Sequence, residues 1–532
     1  MIGSPLPREA FIGTEIELKL AARRGDLPAL TRALEGMAAR PGPSRSKLVS
    51  TYYDSAERAL ARHSLTLRVR KAGTRYIQTV KSAGANGGSM LGRGEWEDEV
   101  AGERPDLGAA QTGRFLSPEI GPRLQPVFCT NIVRVTIPLA PAPQTRIEAA
   151  IDRGDIRAPA RDRTETVSEI ELELLEGPPA ALYDVALQLL EVAPLRLGLR
   201  SKAERGYRLA AHDRHPADAA HFGGVALDPE EDGEALLQGF GRACLTQLLG
   251  SEAAALAGEA EGVHQMRVAL RRLRAILSAF SMLIPKDRRD PLDGEVKWLT
   301  KALGDARNYD VFAEETIGSA KKAAVDGAGL DRLCKAAERR RRAAYVAARQ
   351  AIRSPRYTAL LLRLMRWFDG RQWRDEGGNP ADERLTWPVR ELAPLVLDKR
   401  RRTAKRHSHG FAGQSPEERH ELRIALKKLR YTIELFAGLY ETGTTKPFIH
   451  ALKRLQDKLG DANDLQTGRK LIGELVPARR RAPAMAQSGQ RLLAWHARRI
   501  AKAEPKLRDH VQELFAVPRF WQPAEAAKPA AE

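Results

Sequence analysis

The chain has 532 residues, 43% of them hydrophobic, with 87 Lys and Arg against 68 Asp and Glu and a net charge of +19. This length is greater than that of an ordinary domain with one hydrophobic core, and the composition excludes a disordered chain. We therefore predict two or three globular domains. The positive charge favours a polyanionic partner, while an aromatic content of only 6% argues against stacking on single-stranded nucleic acid.

No apolar run reaches the ~18 residues of a membrane-spanning helix, and the first residues lack the pattern of a secretory signal. The three cysteines lie far apart and form no metal-ligand spacing, which is typical of a reducing compartment. We therefore expect a soluble, cytoplasmic protein with no membrane partner.

The N-terminal part of the chain alternates apolar and charged residues with the period of β-strands. Examples are "TEIELKL", "SLTLRVRK", "RYIQTVK", "GEWEDEV", "NIVRVTI", "TRIEAAID" and "SEIELELL", separated by turns rich in Gly and Pro. Helical stretches are expected only near 26–38 and 178–193. Seven or eight strands with short connections predict an antiparallel barrel or strongly curved sheet.

These strands carry their charges on one face only, because alternate side chains point to opposite sides of a sheet. A solvated outer face explains any single strand, but a closed sheet would direct the whole set into one lumen. Carboxylates grouped there suit divalent cations, and Arg and Lys suit phosphate oxygens. A lumen with both predicts a metal-assisted site for a polyphosphate compound.

The second part of the chain has helical periodicity and repeats itself. We predict a first domain over 1–209, a linker over 210–234, a helical domain over 235–515 and a disordered tail over 516–532. "GVHQMRVALRRLRAILSAF" aligns with "ERHELRIALKKLRYTIELF", and "LTKALGDARNYD" with "LQDKLGDANDLQ", at one constant offset. The alignment indicates an internal duplication.

Each copy of the first repeated motif places a histidine and three basic residues on one side of a helix, with apolar residues roughly opposite. A solvated basic face is the usual explanation of such a stripe. Its recurrence in both copies favours a binding surface for phosphate oxygens instead. The two stripes are His264, Arg267, Arg271, Arg274 and His420, Arg423, Lys427, Arg430.

The strand region resembles the CYTH superfamily, the triphosphate tunnel metalloenzymes. "EIELKL" matches the family's ExExK signature, and "LRVR", "TVK", "GEWE", "VR", "IDRG", "SEIELEL" and "LRSKAERGY" follow in the family's order over residues 13–208. The resemblance implies an eight-stranded antiparallel tunnel that binds triphosphate with Mg²⁺ or Mn²⁺.

The same resemblance implies roles for individual residues. The metal-binding acids would be Glu15, Glu17, Glu169 and Glu171. The phosphate-binding catalytic residues would be Lys19, Arg68, Arg70, Lys81, Arg134 and Lys202. Further carboxylates in the tunnel wall would be Glu97 and Asp152. A lysine can act as general base in this family, provided that neighbouring cations lower its pKa.

The helical region resembles the CHAD domain, two four-helix bundles related by internal symmetry. The "HxxR…RRLR" motif of the first copy recurs as "HxxR…KKLR" in the second, and "LGDA" is present in both. The resemblance implies binding of inorganic polyphosphate to the basic surface, and with it an association with polyphosphate granules.

Together these patterns predict an inorganic triphosphatase whose helical domain binds polyphosphate, with nucleic acid bound only non-specifically. Two alternatives stay open. One is a different CYTH activity, namely nucleoside- or thiamine-triphosphate hydrolysis or cyclisation of ATP. The other is a non-catalytic polyphosphate-binding or granule-associated protein.

Overall fold

A computed structural model describes residues 14–40, 42–82, 92–117, 119–211, 218–322, 328–375, 377–476 and 482–522. The chain forms two compact units. The first comprises residues 1–215 together with 353–370, and the second comprises 216–352 together with 371–532. Among the described residues, none of the helices combines the length and the apolar character that crossing a bilayer requires.

The first unit is built on a closed antiparallel sheet. Its strands are β1 (Thr14–Ala22), β2 (Ser44–Asp54), β3 (Leu65–Ala72), β4 (Arg75–Ser82), β5 (Gly92–Val100), β6 (Gln125–Ala142), β7 (Thr145–Ala158), β8 (Arg163–Glu176) and β9 (Leu195–Leu197). The order is β5-β4-β3-β2-β6-β7-β8-β1-β9, and β1 also pairs with β5. This last pairing closes eight strands into a barrel, which confirms the predicted tunnel, and β9 adds a short ninth strand beside β1.

Apolar side chains cover the outside of this barrel. Leu18 and Leu20 of β1, like Leu67 and Val69 of β3, are almost completely buried. Helices α1 (Leu27–Glu35) and α3 (Ala180–Val192) supply apolar faces, and α2 (Ala59–Arg62) packs on β3. The alternate residues of the same strands, which are charged, therefore face the lumen.

Helix α4 (Lys202–Ala210) begins at Lys202, a residue that was predicted together with the charged residues of the strands. A capping box starts this helix: the Ser201 hydroxyl accepts from the Glu204 N–H, and the Glu204 carboxylate accepts from the Ser201 N–H. Gly206 lies so close to the Phe128 ring that a Cβ atom would come within 2.1 Å of it. This close approach packs α4, through Ala203, against an apolar layer on the lumen side of the sheet, which includes Phe128, Ile132, Ile156 and Val167.

The second unit is helical and duplicated. Its helices up to residue 352 are α5 (Gly233–Gly250), α6 (Glu252–Ala257), α7 (Ala260–Ala279), α8 (Lys286–Ala302), α9 (Gly304–Val311), α10 (Gly318–Lys322) and α11 (Ala328–Ile352), with a π-helical turn over Phe312–Ile317. Next in the chain comes α12 (Pro355–Asp369), which belongs to the first unit. The second unit then continues with α13 (Val389–Ser408), α14 (Pro416–Phe436), α15 (Thr442–Leu475) and α16 (Pro483–Ala516).

The duplication is visible in where the helices begin. Helices α5, α7 and α8 start at 233, 260 and 286, and α13, α14 and α15 start at 389, 416 and 442, so each later helix begins 156 residues after its counterpart. The apolar positions predicted opposite the basic stripes, such as Leu270 and Leu426, are buried in both copies. The predicted pair of four-helix repeats is confirmed.

The fourth helix differs between the copies. In the second copy α16 runs uninterrupted for 34 residues, whereas in the first copy the chain breaks between α11 and α12. Ser354 caps α12 and Pro355 occupies its first turn, a combination that favours the start of a new helix. Helix α12 then packs on the first unit, where the Thr358 hydroxyl donates to the Leu195 carbonyl (2.8 Å).

Between α4 and α5 the described residues 211 and 218–232 form no helix or strand beyond an isolated bridge at Asp232. In the predicted tail, Trp521 is buried and its indole N–H donates to Asp398 (2.8 Å). Residues 523–532 lie outside the described part of the chain.

Candidate functional site

Strand register brings the charged residues of the lumen together. Lys19 on β1 lies opposite Glu171 on β8, and Asp152 on β7 lies between Arg134 on β6 and Glu169 on β8. All five belong to the same face of the closed sheet, because they occupy alternate positions along their strands. Acids and bases from four strands therefore share one interior wall.

Lys202 enters this wall from the first residue of α4. Its ammonium group lies 2.6 Å from Asp152, 2.5 Å from Glu169 and 2.7 Å from Glu171. Burial alone would lower the pKa of Lys202, but the three carboxylates outweigh it and raise the pKa above its ordinary value. Lys202 is thus held as a cation at the point where the three acids converge.

Arg134 and Lys19 complete the pairing. Arg134 binds Asp152 with both prongs of its guanidinium, at 2.7 and 2.6 Å, and also donates to Glu171. Lys19 donates to Glu17 and lies 3.4 Å from Glu171. Although burial raises the pKa of a carboxyl, the cations around Glu171 hold its pKa well below the usual range.

The acids also determine whether a lysine can act as the general base. Burial lowers the pKa of Lys19, but Glu171 and Glu17 outweigh this effect and raise it, as happens for Lys202. Without substrate or metal, both lysines are therefore held as cations by their carboxylate neighbours.

Arg205 is a member of this wall that the sequence analysis did not identify. It is one helical turn after Lys202 on α4, and its guanidinium lies 2.7 Å from Glu169 and 2.7 Å from Glu165. The signal was present as the arginine of "SKAERGY", three residues after the predicted lysine. We call the complete group the acid–base cluster: Glu17, Lys19, Arg134, Asp152, Glu169, Glu171, Lys202 and Arg205.

A second charged group lies on β3, β4 and β5. Lys81 is 2.9 Å from Glu95, and Arg68 is 3.4 Å from Glu95 and 3.6 Å from Glu97. Glu97 also accepts a hydrogen bond from the Thr79 hydroxyl (2.8 Å). Glu95, which was not among the predicted site residues, therefore holds both cations of this wall.

Arg70 differs from the other lumen cations. Within the described residues it forms no ion pair, and its buried Nε has no hydrogen-bond partner. Burial, reinforced by Arg68 and Arg134, lowers the pKa of Arg70 to about 10. Tyr52 and Glu97 act in the opposite direction but do not outweigh burial and the two arginines, so the charge of Arg70 is incompletely compensated.

The acid–base cluster fits a divalent cation. Carboxylate oxygens of Asp152, Glu169 and Glu171 all lie within 4.8 Å of one another, and these are the hard ligands that Mg²⁺ and Mn²⁺ prefer. Asp152, predicted as a wall residue, is thus the third member of the group. Glu17 instead pairs with Lys19, and Glu15 lies in β1 opposite Arg93, although its side chain is outside the described residues.

In the helical unit, the two predicted stripes meet at one place. Arg271 on α7 donates from Nε to the hydroxyl of Tyr431 on α14 (3.2 Å). The positive charge of Arg271 also lowers the pKa of both Arg423 and Lys427, in each case adding to the effect of burial. We call this group the central basic cluster: Arg267, Arg271, Arg423, Lys427 and Arg430.

The cations of this cluster are poorly compensated. Burial, together with Arg423, Arg271 and Arg430, lowers the pKa of Lys427 to about 7. Burial and Arg271 lower the pKa of Arg267 to about 10. Asp464 acts in the opposite direction on Arg423 and Lys427. For Arg423 its effect is larger than that of Arg271, but burial keeps both pKa values below their ordinary values.

Three stripe residues lie differently from the rest. His264 stays near the cluster, where burial and then Arg307 lower its pKa. His420 is exposed and lines a separate cavity of about 910 Å³ with His407 and His409. Arg274 pairs with Asp293 (2.9 Å).

Comparison with known proteins agrees with this architecture. The family model "CYTH domain" matches residues 13–207, and the family model "CHAD domain" matches residues 240–473. An inorganic triphosphatase from Haemophilus influenzae is 30% identical over 165 residues. That match covers 31% of this chain and less than half (46%) of the relative's own length.

Solved structures also resemble each part. The CHAD domain from the plant Ricinus communis is 27% identical, with a TM-score of 0.48 over 58% of this chain and 99% of its own. The Hippeastrum protein HpAC1, described as revealing a dominant triphosphatase activity, is 18% identical, with a TM-score of 0.29 over 36% of this chain and 95% of its own.

The family matches fall on the two structural units just described, with the tunnel in one and the duplicated helices in the other. The chain therefore contains a CYTH domain over residues 13–207 and a CHAD domain over residues 240–473.

Proposed function

We propose that the tunnel hydrolyses inorganic triphosphate to diphosphate and phosphate with a divalent cation, and that the helical unit binds inorganic polyphosphate. The observation that carries the first part is Arg70, a buried cation without an acid partner beside a wall in which acids and bases are paired. A short, highly charged anion supplies the charge that Arg70 lacks.

The chemistry required of the protein is mainly positioning and charge compensation, as in other phosphoryl transfers. A water oxygen adds to the terminal phosphorus, the bond to the bridging oxygen breaks, and diphosphate leaves. Arg68, Arg70 and Lys81 are placed to hold phosphate oxygens. A divalent cation held by Asp152, Glu169 and Glu171 would neutralise charge on the phosphates and orient them.

Binding of substrate also changes the pairing within the acid–base cluster. Lys19, Arg134 and Lys202 are occupied by carboxylates in the structure. A triphosphate competes for these three cations, which would leave the carboxylates available to a metal ion. Substrate and metal would thus bind cooperatively. The substrate would replace the carboxylates as partners of the cations, and the metal ion would replace the cations as partners of the carboxylates.

The second part of the proposal rests on the central basic cluster. Its cations come from both repeats, and several are largely buried among one another. A flexible, unbranched polyphosphate can follow such a recess, whereas a stiff DNA duplex cannot enter it. Location in the cytoplasm, with association with polyphosphate granules, belongs to the same proposal.

The test is phosphate release by purified full-length protein over a substrate panel, with Mg²⁺, with Mn²⁺ and with excess chelator. We expect metal-dependent release and a higher kcat/KM for inorganic triphosphate than for ATP. A preference of about tenfold for a nucleoside or thiamine triphosphate, or cyclic AMP as a product, would replace the substrate assignment. Absence of turnover with every metal would leave a binding protein.

A further inference from the structure

A second cationic site lies in the helical unit, around Arg400 on α13. This arginine is only 8% exposed, yet its Nε and Nη2 atoms are buried without a hydrogen-bond partner. Burial and the nearby Arg289 guanidinium lower the pKa of Arg400 to about 10. A buried guanidinium without a partner is costly, so its presence indicates a missing anion.

Cations from two other helices surround Arg400. Arg289 on α8 also has a buried Nε without a partner, and 18% of its side chain is exposed. Burial lowers the pKa of Lys428 on α14, and Arg400 and Arg274 lower it further. Lys399 is affected in the same way by burial, Arg400 and Arg289.

The acids Asp293 and Asp290 lie near these cations but contact residues other than Arg400. Asp293 binds Arg274 (2.9 Å) and Lys297 (2.7 Å), and the exposed Asp290 lies 3.7 Å from Arg289. Glu421 and Asp293 act on Lys428 but do not outweigh the effect of burial and the cations. Among the described residues, no carboxylate pairs with Arg400 itself.

The other repeat shows that the bundle does not need these charges in order to pack. At the constant spacing of the repeats, Arg400 corresponds to Cys244 and Arg289 corresponds to Thr445. Cys244 is completely buried and Thr445 is 4% exposed. Each arginine therefore has an uncharged, buried counterpart in the opposite repeat, whereas Lys428 corresponds to Arg272, which donates to Gln247 (3.0 Å).

We propose that Arg400, Arg289 and Lys428 form a binding site for a single phosphate group, separate from the central basic cluster. Two guanidinium groups and an ammonium match the several oxygens and the double charge of a phosphate group better than they match one carboxylate. Lys427 and Lys428 are consecutive on α14, about 100° apart around the helix, so the two sites lie on different faces. The proposal does not depend on the function proposed for the tunnel.

The phosphate group has two sources, free orthophosphate or the end of a polyphosphate chain, and the test separates them. Full-length protein carrying Arg267→Ala, Arg271→Ala, Arg423→Ala and Lys427→Ala serves as the background, because these changes remove four of the five cations of the central basic cluster. Orthophosphate is titrated by calorimetry in buffer free of chloride and phosphate. Polyphosphate is followed by the ³¹P resonances of its end groups.

Beyond any phosphate held in the tunnel, we expect one phosphate group bound per chain, and this binding should be at least tenfold weaker when Arg400→Gln or Arg289→Gln is added. The matched control is Arg342→Gln, which removes the same charge from a side chain that is 78% exposed, and binding should be unchanged. Shifted end-group resonances without orthophosphate binding would assign the site to polyphosphate ends. Binding that both substitutions leave unchanged, by either measurement, would overturn the proposal.

Thermal unfolding without any phosphate provides the second readout. Because Arg400 is an uncompensated buried charge, Arg400→Gln should unfold at the same or a higher temperature than its parent, while phosphate should raise the unfolding temperature of the parent only. A lower unfolding temperature for Arg400→Gln, together with an equal response of both proteins to phosphate, would show that the arginine only supports packing.

Discussion

The tunnel and the helical unit both concentrate cations below the surface, but they compensate them differently. In the tunnel, Lys202 touches three carboxylates and Arg134 touches two. In the central basic cluster, Arg267, Arg271, Arg423 and Lys427 form no ion pair among the described residues. The pKa shifts have opposite directions accordingly. The pKa of Lys202 is raised, whereas the pKa of Lys427 is lowered to about 7.

Under the proposed function, this difference would correspond to two ways of recognising a phosphate chain. A wall with both signs of charge has ligands for a metal ion as well as for phosphate, which suits chemistry at the phosphorus atom. A cluster in which cations outnumber the nearby acids, Asp464 and Glu434, suits binding of a polyanion more than it suits a hard cation. This contrast supports the proposal that turnover and binding have separate sites.

The largest expected effect comes from removing one tunnel acid. Glu171→Gln keeps the shape of the side chain but takes its charge from Lys19, Lys202 and Arg134. We expect kcat/KM for triphosphate to fall at least about 100-fold at saturating metal. Steady-state phosphate release measures it. Glu176→Gln on the same strand, at an exposed position, is the control, and an equal fall in both would refute a specific role for Glu171.

Stability should distinguish paired from unpaired arginines within the tunnel. Arg134→Met leaves the fully buried Asp152 without its bidentate partner and should lower the free energy of unfolding by about 3–5 kcal/mol. Arg70→Met removes a cation that has no acid partner and should cost about 0–1 kcal/mol or stabilise the protein. Denaturant unfolding measures both, and equal losses would contradict the pairing described here.

The depressed pKa of Lys427 predicts a pH dependence that the tunnel lysines lack. Below pH 7 Lys427 is already protonated, so polyphosphate binds at no extra cost. Above pH 7 binding must take up a proton, so affinity should fall by about tenfold between pH 6 and pH 8. Calorimetry in the Glu171→Gln background, which prevents turnover, measures this. Lys427→Arg should flatten the profile, and a steep profile in that variant would assign the proton to another group.

The smallest effect concerns salt. Each cation that contacts polyphosphate releases counterions, so the logarithm of the affinity should fall linearly with the logarithm of the salt concentration. Arg271→Gln should reduce this slope by about 1. An unchanged slope would place Arg271 outside the binding surface.

The sequence was sufficient to predict the barrel and the duplication because both depend on periodicity. Alternation put the charges of β1, β6, β7 and β8 on one face, and the constant spacing matched the helices in pairs. The third carboxylate, Asp152, was harder to assign, because its place beside Glu169 depends on strand register across β7 and β8. Register of that kind follows from pairing over the whole sheet and is not visible in a single strand.

Other features depend on packing that no local pattern encodes. Lys202 was grouped with strand residues, although the "SKAE" capping box was the available signal for a helix start. Arg400 lies in the run "KRRRTAKRH", which resembles a solvated basic face, and only the packing of α13 shows that it is buried. His264 and His420 occupy equivalent helical positions, yet one is half-buried and the other lines a separate cavity.

The central claim is that turnover and polyphosphate binding belong to two separate sites with different electrostatics. The most direct test measures triphosphate hydrolysis and polyphosphate affinity on the same three full-length proteins: the natural chain, Glu171→Gln, and the double variant Arg271→Ala, Lys427→Ala. We predict that Glu171→Gln loses hydrolysis but binds polyphosphate normally, and that the double variant hydrolyses triphosphate normally but binds polyphosphate at least about tenfold more weakly. Loss of both activities in either variant, with helical circular dichroism intact, would contradict the claim.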